Sequence, residues 1–142
     1  MLAYIAGRLT NEEERKRLEE IDILCKNLGF ETFLPHKDAG IVEGMQDVKR
    51  IFEEDITKSL AKSEIVIALL DGLHVGAGTA WELGYAYSKG IPVLGIKTDE
   101  SLEEALPYLS AILVASMPIA KSIEEAERML REFRENKKVQ SV

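Results

Sequence analysis

The chain alternates short apolar runs with amphipathic stretches, and the spacing of the apolar positions assigns an element to each. Residues 2–6 form an apolar run stopped by Gly7, the pattern of a short strand. Over 11–28, Leu18, Ile21, Leu24, Cys25 and Leu28 recur at helical spacing; Thr10 and Glu13 have capping-box spacing, and Gly29 supplies the stop. A second strand is predicted over 30–34, closed by Pro35, then a loop over 36–44 and a helix over 46–62. Residues 65–70 are continuously apolar with β-branched members, as in a strand covered on both faces. Gly72, Gly76 and Gly78 lead into a third helix over 79–89. Strands are predicted over 91–96 and 111–115. A last helix over 122–136 carries Ile123, Ala126, Met129, Leu130 and Phe133 on one face, and the tail 137–142 is expected to fray.

Strands alternating with helices at this spacing predict βαβ units. The expected architecture is a doubly wound, flavodoxin/Rossmann-like α/β fold with three layers, a five-stranded mainly parallel sheet and one domain over 1–142. Such sheets bind ligands beyond the carboxyl ends of their strands. Chemistry is therefore expected in segments 6–10, 35–44, 71–82 and 97–110.

Charge narrows the function classes. The 142 residues include 18 basic and 25 acidic side chains, for a net charge of −7. That balance argues against a nucleic-acid polymer or a membrane surface as partner, because both repel net negative charge. No run has the length of a membrane span, and Met1 leads straight into a strand, so a cytoplasmic protein is expected. Cys25 with His36 and His74 are too few for a structural zinc site, and no metal is expected.

The stretch from Asp71 to Gly84 is the most informative. Gly76 and Gly78 permit close backbone approach, and a following helix N-terminus offers free N–H groups to an anion. Glu82 is placed in the first helical turn, where two readings stand. Thr79 and Glu82 have the spacing of a capping box, and an ionised carboxylate beside a glycine-lined pocket can serve as a nucleophile. Asp55 falls inside the apolar arc of Val48, Ile51, Phe52, Ile56 and Leu60, which is costly unless the carboxylate is paired or functional. Tyr4, near the end of the first strand, reads as a core tyrosine or a site hydroxyl. Arg8 reads as a surface arginine or an anion contact. His36 stands where this fold often faces its site, His74 has weaker credentials, and Cys25 reads as packing. Trp81 and Tyr85 read as core or subunit interface.

Four stretches then carry a family likeness: Ala-Tyr-Ile-Ala-Gly at 3–7, Leu-Gly-Phe-Glu-Thr-Phe-Leu-Pro-His at 28–36, Ile-Phe-Glu-Glu-Asp-Ile at 51–56, and Ala-Leu-Leu-Asp-Gly followed by Gly-Thr-Ala-Trp-Glu-Leu-Gly-Tyr-Ala at 68–86. The sequence resembles the nucleoside 2-deoxyribosyltransferase superfamily, which includes the 2′-deoxynucleoside 5′-monophosphate N-hydrolases. The resemblance covers most of residues 2–96. It implies Glu82 as the nucleophile at the anomeric carbon, Asp55 as the group that protonates or orients the base, and Tyr4 as the residue that positions the nucleophile. It also implies no cofactor, a small nucleoside or nucleotide substrate, and a homodimer or larger homo-oligomer with shared sites.

Two departures set the expected substrate. The chain carries one extra residue between Asp55 and the next strand. More important, Gly76 stands where transferases of the family generally have an aspartate that holds the sugar 5′-hydroxyl. A neutral residue there leaves room for a 5′-phosphate, with Gly7, Arg8 and Gly78 around it. Leu109-Ser110-Ala111 is similar to a stretch of the nucleotide hydrolases whose serine meets the phosphate from a neighbouring subunit, and His36 is similar to a histidine of those enzymes. The expected activity is N-glycosidic cleavage of (2′-deoxy)nucleoside 5′-monophosphates. Base exchange between deoxynucleosides is the alternative, and a non-catalytic nucleotide sensor a third.

Overall fold

The computed structural model describes residues 1–136. Five strands, β1 (Leu2–Ala6), β2 (Glu31–Phe33), β3 (Ile65–Leu69), β4 (Val93–Ile96) and β5 (Ile119–Ala120), pair in the order β2-β1-β3-β4-β5, and every pairing is parallel. Around them lie α1 (Glu12–Asn27), α2 (Pro35–Asp38), α3 (Met45–Phe52), α4 (Ala77–Ser88), α5 (Leu102–Leu109), α6 (Ala111–Ser116) and α7 (Ile123–Asn136). The predicted three-layer α/β fold is the one observed, with a sheet wholly rather than mainly parallel.

Strand alternation sorts the core into two halves. Ala3, Ile5, Ile65 and Ile67 face a cluster with Leu18, Cys25, Leu130 and Phe133, whereas Tyr4, Ala6, Val66 and Ala68 face the other side with Ile56, Leu60 and Leu83. Tyr4 thus points to the side that carries α4, and its register beside Val66 puts it next to the centre of the sheet. The strand order reverses between β1 and β3, and the crevice at their carboxyl ends is where this topology takes a ligand.

Several elements depart from the pattern read along the chain. Residues 111–115 are not a strand but helix α6, and the fifth strand is the two-residue β5. Ser110 adopts a left-handed backbone (φ 83°), its Oγ accepts from the Ile112 N–H at 3.2 Å, and its carbonyl accepts from the Val114 N–H at 3.1 Å. These local bonds close a helical turn that outweighs the β-branched content of a five-residue run. Helix α5 lies in a segment to which the pattern assigns no element; Ser101 caps it, accepting from the Glu104 N–H, and Pro107 in its interior hides the pattern. The cap of α1 is Asn11, whose side chain accepts from the Glu14 N–H at 2.8 Å, rather than Thr10. Short α2 begins at Pro35, within the expected strand-to-loop passage.

The helix expected over 46–62 breaks after α3. Residues Glu53–Thr57 form a wide turn in which the Lys58 N–H reaches back five residues to the Glu53 carbonyl at 2.9 Å, and Leu60–Lys62 form a tight one. A wide turn of this kind holds one residue more than an α-turn.

A polar knot fixes the loop after β3. Asp71 accepts from the Thr98 N–H at 2.6 Å and pairs with Arg17. Lys97, 1% exposed, donates to the Gly72 carbonyl at 3.0 Å and pairs with Asp99 at 2.9 Å. Gly7, at the end of β1, packs so closely on α1 that a Cβ there would lie 2.7 Å from Leu18 Cδ2. Leu18 therefore braces the loop after β1 as well as the core. Leu18→Ala is expected to lower unfolding free energy by about 2–5 kcal/mol, read as a lower urea midpoint at unchanged slope.

Candidate active site

The crevice beyond β1 and β3 opens into a cavity of about 370 Å³. The β1–α1 loop contributes Gly7, Arg8 and Thr10, and the start of α4 contributes Gly76, Gly78, Thr79 and Glu82. Asp55 closes it from the wide turn after α3. A second, apolar chamber of about 510 Å³ shares Asp55, Gly78 and Glu82 and is walled by Val42, Val48, Phe52 and Trp81. The two carboxylates stand where the polar and apolar spaces meet.

Glu82 is not a helix cap. Helix α4 starts at Ala77 with Gly76 as its cap residue, so Thr79 is already inside the helix and Glu82 lies in the second turn. The Thr79–Glu82 capping box, one of the two readings of that spacing, is absent because the extended backbone at Gly76 (ψ 154°) opens the helix earlier. Instead the Tyr4 hydroxyl donates to Glu82 Oε2. Among the described residues Oε1 receives no hydrogen bond. Burial and the nearby Asp55 carboxylate raise the Glu82 carboxyl, the Tyr4 hydrogen bond works against them, and the result is pushed up to about 7. Burial and the Glu82 charge drive the Tyr4 hydroxyl far above its ordinary value, so it remains a donor at every physiological pH.

Asp55 has a buried Oδ1 with no hydrogen-bond partner. Leaving a buried polar atom unpaired costs about 1–3 kcal/mol, a sign that the atom serves something other than stability. Burial, with Glu54 adding to it and Arg50 opposing, pushes the carboxyl up to about 6.

At the other end, Arg8 Nε donates to Glu14 Oε2 at 3.1 Å and Nη1 to the His74 carbonyl at 3.4 Å. A Cβ on Gly76 would lie 3.3 Å from Arg8 Cγ, and one on Gly78 would meet nothing within 4 Å. The absent side chains thus leave the floor of the cavity open around the arginine stem.

Two expected site residues are not brought to this cavity. His36 is turned away from it, 5% exposed at its side chain, with Nε2 2.9 Å from Glu19 Oε2 on α1. The α2 turn that starts at Pro35 rotates the ring off the crevice, while Pro35 itself lines it. Ser110 lies instead in an apolar groove of about 590 Å³ between α4 and α6, beside Ala80, Leu83, Tyr87 and Ile112. Trp81 is 51% exposed, stacks on Tyr85 and meets Phe52 edge-on, so it is a chamber wall rather than core.

Val48, Phe52, Thr10 and Thr79 join the site without having been singled out. For Val48 and Phe52 the helical phase was visible, but α3 buries none of its residues completely. Its apolar face looks into the chamber. No group of three or more His, Cys, Asp or Glu among the described residues could hold a metal ion. No helix among them is long and apolar enough to cross a membrane.

The family model for nucleoside 2-deoxyribosyltransferase matches residues 3–131. The chain belongs to the nucleoside 2-deoxyribosyltransferase family. It is accordingly an enzyme of the nucleoside 2-deoxyribosyltransferase family, acting on small nucleoside substrates. Among solved structures, it is similar to a 2-deoxyribosyltransferase from Bacillus psychrosaccharolyticus (22% identity, TM-score 0.73, 89% of this chain and 90% of that one). A conserved protein from Enterococcus faecalis V583 is similar at 24% identity and TM-score 0.73, over 93% of this chain and 98% of the other. The Clostridium botulinum CMP N-glycosidase BcmB is similar at 15% identity and TM-score 0.57, over 92% and 98%. At these identities the likeness is one of fold. Comparison with curated proteins finds no match.

Both raised carboxyls bind protons more tightly in the folded chain than in the unfolded one, so the unfolded state loses its protons first as pH rises. Stability is therefore greatest below the ordinary carboxylate values and falls as pH climbs to about 6 for Asp55 and about 7 for Glu82. Glu82→Gln removes the larger share of that loss and can still accept from Tyr4. The variant is expected to be more stable than the parent at pH 8, on the order of 2 kcal/mol, with the difference gone by about pH 4. Thermal unfolding across that range checks it.

Proposed function

We propose that this member of the family hydrolyses the N-glycosidic bond of nucleoside 5′-monophosphates, the 2′-deoxy form foremost, releasing free base and sugar 5-phosphate. The observation that carries the reading is one cavity holding Glu82 with one oxygen tied to Tyr4, Asp55 beside it, and Arg8 over a side-chain-free Gly76 at the far end.

In this mechanism Glu82 Oε1 attacks C1′ and the C1′–N bond breaks, its electron pair leaving with the base. Asp55, with a value near neutral pH, supplies the proton that neutralises the departing base. Water then attacks C1′ of the glycosyl ester, Glu82 leaves as carboxylate, and the water's proton returns to Asp55. Tyr4 orients the Glu82 carboxylate and favours its charged form. The base fits the apolar chamber walled by Phe52 and Trp81, and the sugar phosphate fits the polar cavity, with Arg8 and the free N–H groups at the start of α4 for the phosphate. A CMP N-glycosidase shares the fold, in keeping with a nucleotide substrate. No cofactor takes part.

Base exchange between deoxynucleosides through the same glycosyl ester is the second reading, and the fold of a 2-deoxyribosyltransferase at TM-score 0.73 favours it. Gly76 weighs against it, since it offers no carboxylate to a 5′-hydroxyl. We further infer a homodimer or larger assembly in a cytoplasmic setting. Tyr87 and Ile112, both exposed, flank the groove that holds Ser110, and a second copy seated there would offer its Ser110 to a phosphate.

A panel of nucleosides and their 5′-monophosphates, read by chromatography for free base, tests the reading. Base release is expected from the monophosphates; release from nucleosides alone, or a new nucleoside when a second base is added, would move the assignment to transferase. Glu82→Gln should keep the fold and lose turnover by at least a thousandfold, with Tyr4→Phe and Asp55→Asn slowed less. Near-normal activity in Glu82→Gln would end the covalent mechanism.

Gly76→Asp tests the phosphate end. Its φ of −65° suits any residue, and only the flexible Arg8 stem must yield. A carboxylate about 4 Å from a phosphate repels it by about 4 kcal/mol at an effective dielectric of about 20. Even a quarter of that is several-fold in affinity, so KM should rise for nucleotides and not for nucleosides. Arg8→Ala and Ser110→Ala should weaken nucleotide binding in the same sense.

A further inference from the structure

Arg8 is the one cationic side chain lining the polar cavity among the described residues, and its charge is already answered. Its Nε donates to Glu14 Oε2 at 3.1 Å. The other oxygen of Glu14 accepts from the Thr10 N–H at 3.0 Å and the Thr10 hydroxyl at 2.6 Å. The Thr10 hydrogen bonds and the Arg8 charge outweigh partial burial and hold the Glu14 carboxyl below the usual range, so it is ionised at neutral pH. The Arg8 stem, for its part, lies over Gly76, where an added Cβ would stand 3.3 Å from Arg8 Cγ.

We propose that Glu14 is a specificity-determining residue, setting how strongly the cavity prefers a 5′-phosphate to a 5′-hydroxyl by holding Arg8 in place and offsetting its charge. The proposal rests on the reading of the Arg8 end as the 5′ end of the substrate. A phosphate that reaches Arg8 meets the Glu14 carboxylate directly behind it, so its attraction is the difference between a nearer cation and a slightly more distant anion. An uncharged 5′-hydroxyl is indifferent to that balance. Glu14 thereby keeps phosphate binding moderate, which favours release of a sugar phosphate product. A carboxylate about 7 Å from a phosphate, at an effective dielectric between about 20 and 80, is worth about three- to fiftyfold in affinity.

Glu14→Gln tests this, because the amide keeps the shape and can still accept from Thr10 while losing the charge. KM for a nucleoside 5′-monophosphate and for the matching nucleoside would be measured, with the dissociation constant of inorganic phosphate followed by NMR titration and folding checked by melting temperature. The nucleotide KM is expected to fall at least threefold relative to the nucleoside KM, with inorganic phosphate binding tighter by a similar factor. In an Arg8→Met background Glu14 still repels the phosphate, so the same substitution should again lower the nucleotide KM relative to the nucleoside KM by at least threefold. Glu14→Met removes the charge and the Thr10 bonds together, and it should still tighten phosphate binding if charge is the cause. Equal changes for both substrates, weaker phosphate binding, or no effect in the Arg8→Met background would overturn the proposal and leave Glu14 a brace for the loop. Tighter phosphate binding without cleavage of any nucleotide would uphold this inference and refute the hydrolase reading instead.

Discussion

The structure turns on a half-buried carboxylate at the seam of a parallel sheet. Glu82 is buried enough for its carboxyl to be pushed up to about 7, and a single hydroxyl, that of Tyr4, favours its ionised form. That one hydrogen bond joins β1 to α4 across the switch point of the sheet. It needs Tyr4 on the α4 side of β1, which strand alternation supplies, and α4 close to the sheet, which the polar knot of Asp71, Thr98 and Lys97 secures through the loop after β3. Asp55 completes the arrangement from a third element, held at the cavity by a wide turn. Its unpaired Oδ1 is a cost borne in the folded state.

The division of the site follows from the same placement. Helix α3 presents an apolar face that no other element covers completely, so the space on that side of the two carboxylates is greasy and aromatic. On the other side the β1–α1 loop and the glycines before α4 leave backbone amides and one arginine. In the proposed reaction a base and a charged sugar end would take those two environments on either side of one anomeric carbon. Chemistry at the boundary then needs only the carboxyl pair, and specificity is left to the residues that shape each end.

Much of this was legible in the sequence because the residues involved obey strong local rules. The runs at 2–6 and 65–70 gave the central strands, and the helical spacing of Leu18, Ile21 and Cys25 gave α1. Asp55 stood out as a carboxylate in an apolar arc, and Glu82 through the glycine-rich approach to its helix. What was not legible depends on backbone detail or on distant pairing. Nothing local shows that Ser110 takes a left-handed backbone and turns residues 111–115 into a helix, nor that the helix cap falls at Gly76 and frees Glu82 from capping. His36 was misplaced for a similar reason: its fate is set by Glu19, seventeen residues earlier on α1. Arg8 was visible as a cation, but Glu14 as its partner was hidden, because both residues also fit an ordinary loop and helix start.

The central claim is that Glu82 becomes covalently bonded to C1′ during turnover. Two displacements at one carbon retain its configuration, and one displacement inverts it. The direct measurement is proton NMR of the sugar phosphate first formed when a β-configured nucleoside 5′-monophosphate is cleaved in a methanol–water mixture, where the methyl glycoside records the configuration at C1′. The account predicts the β-methyl glycoside; formation of the α-anomer instead would contradict it.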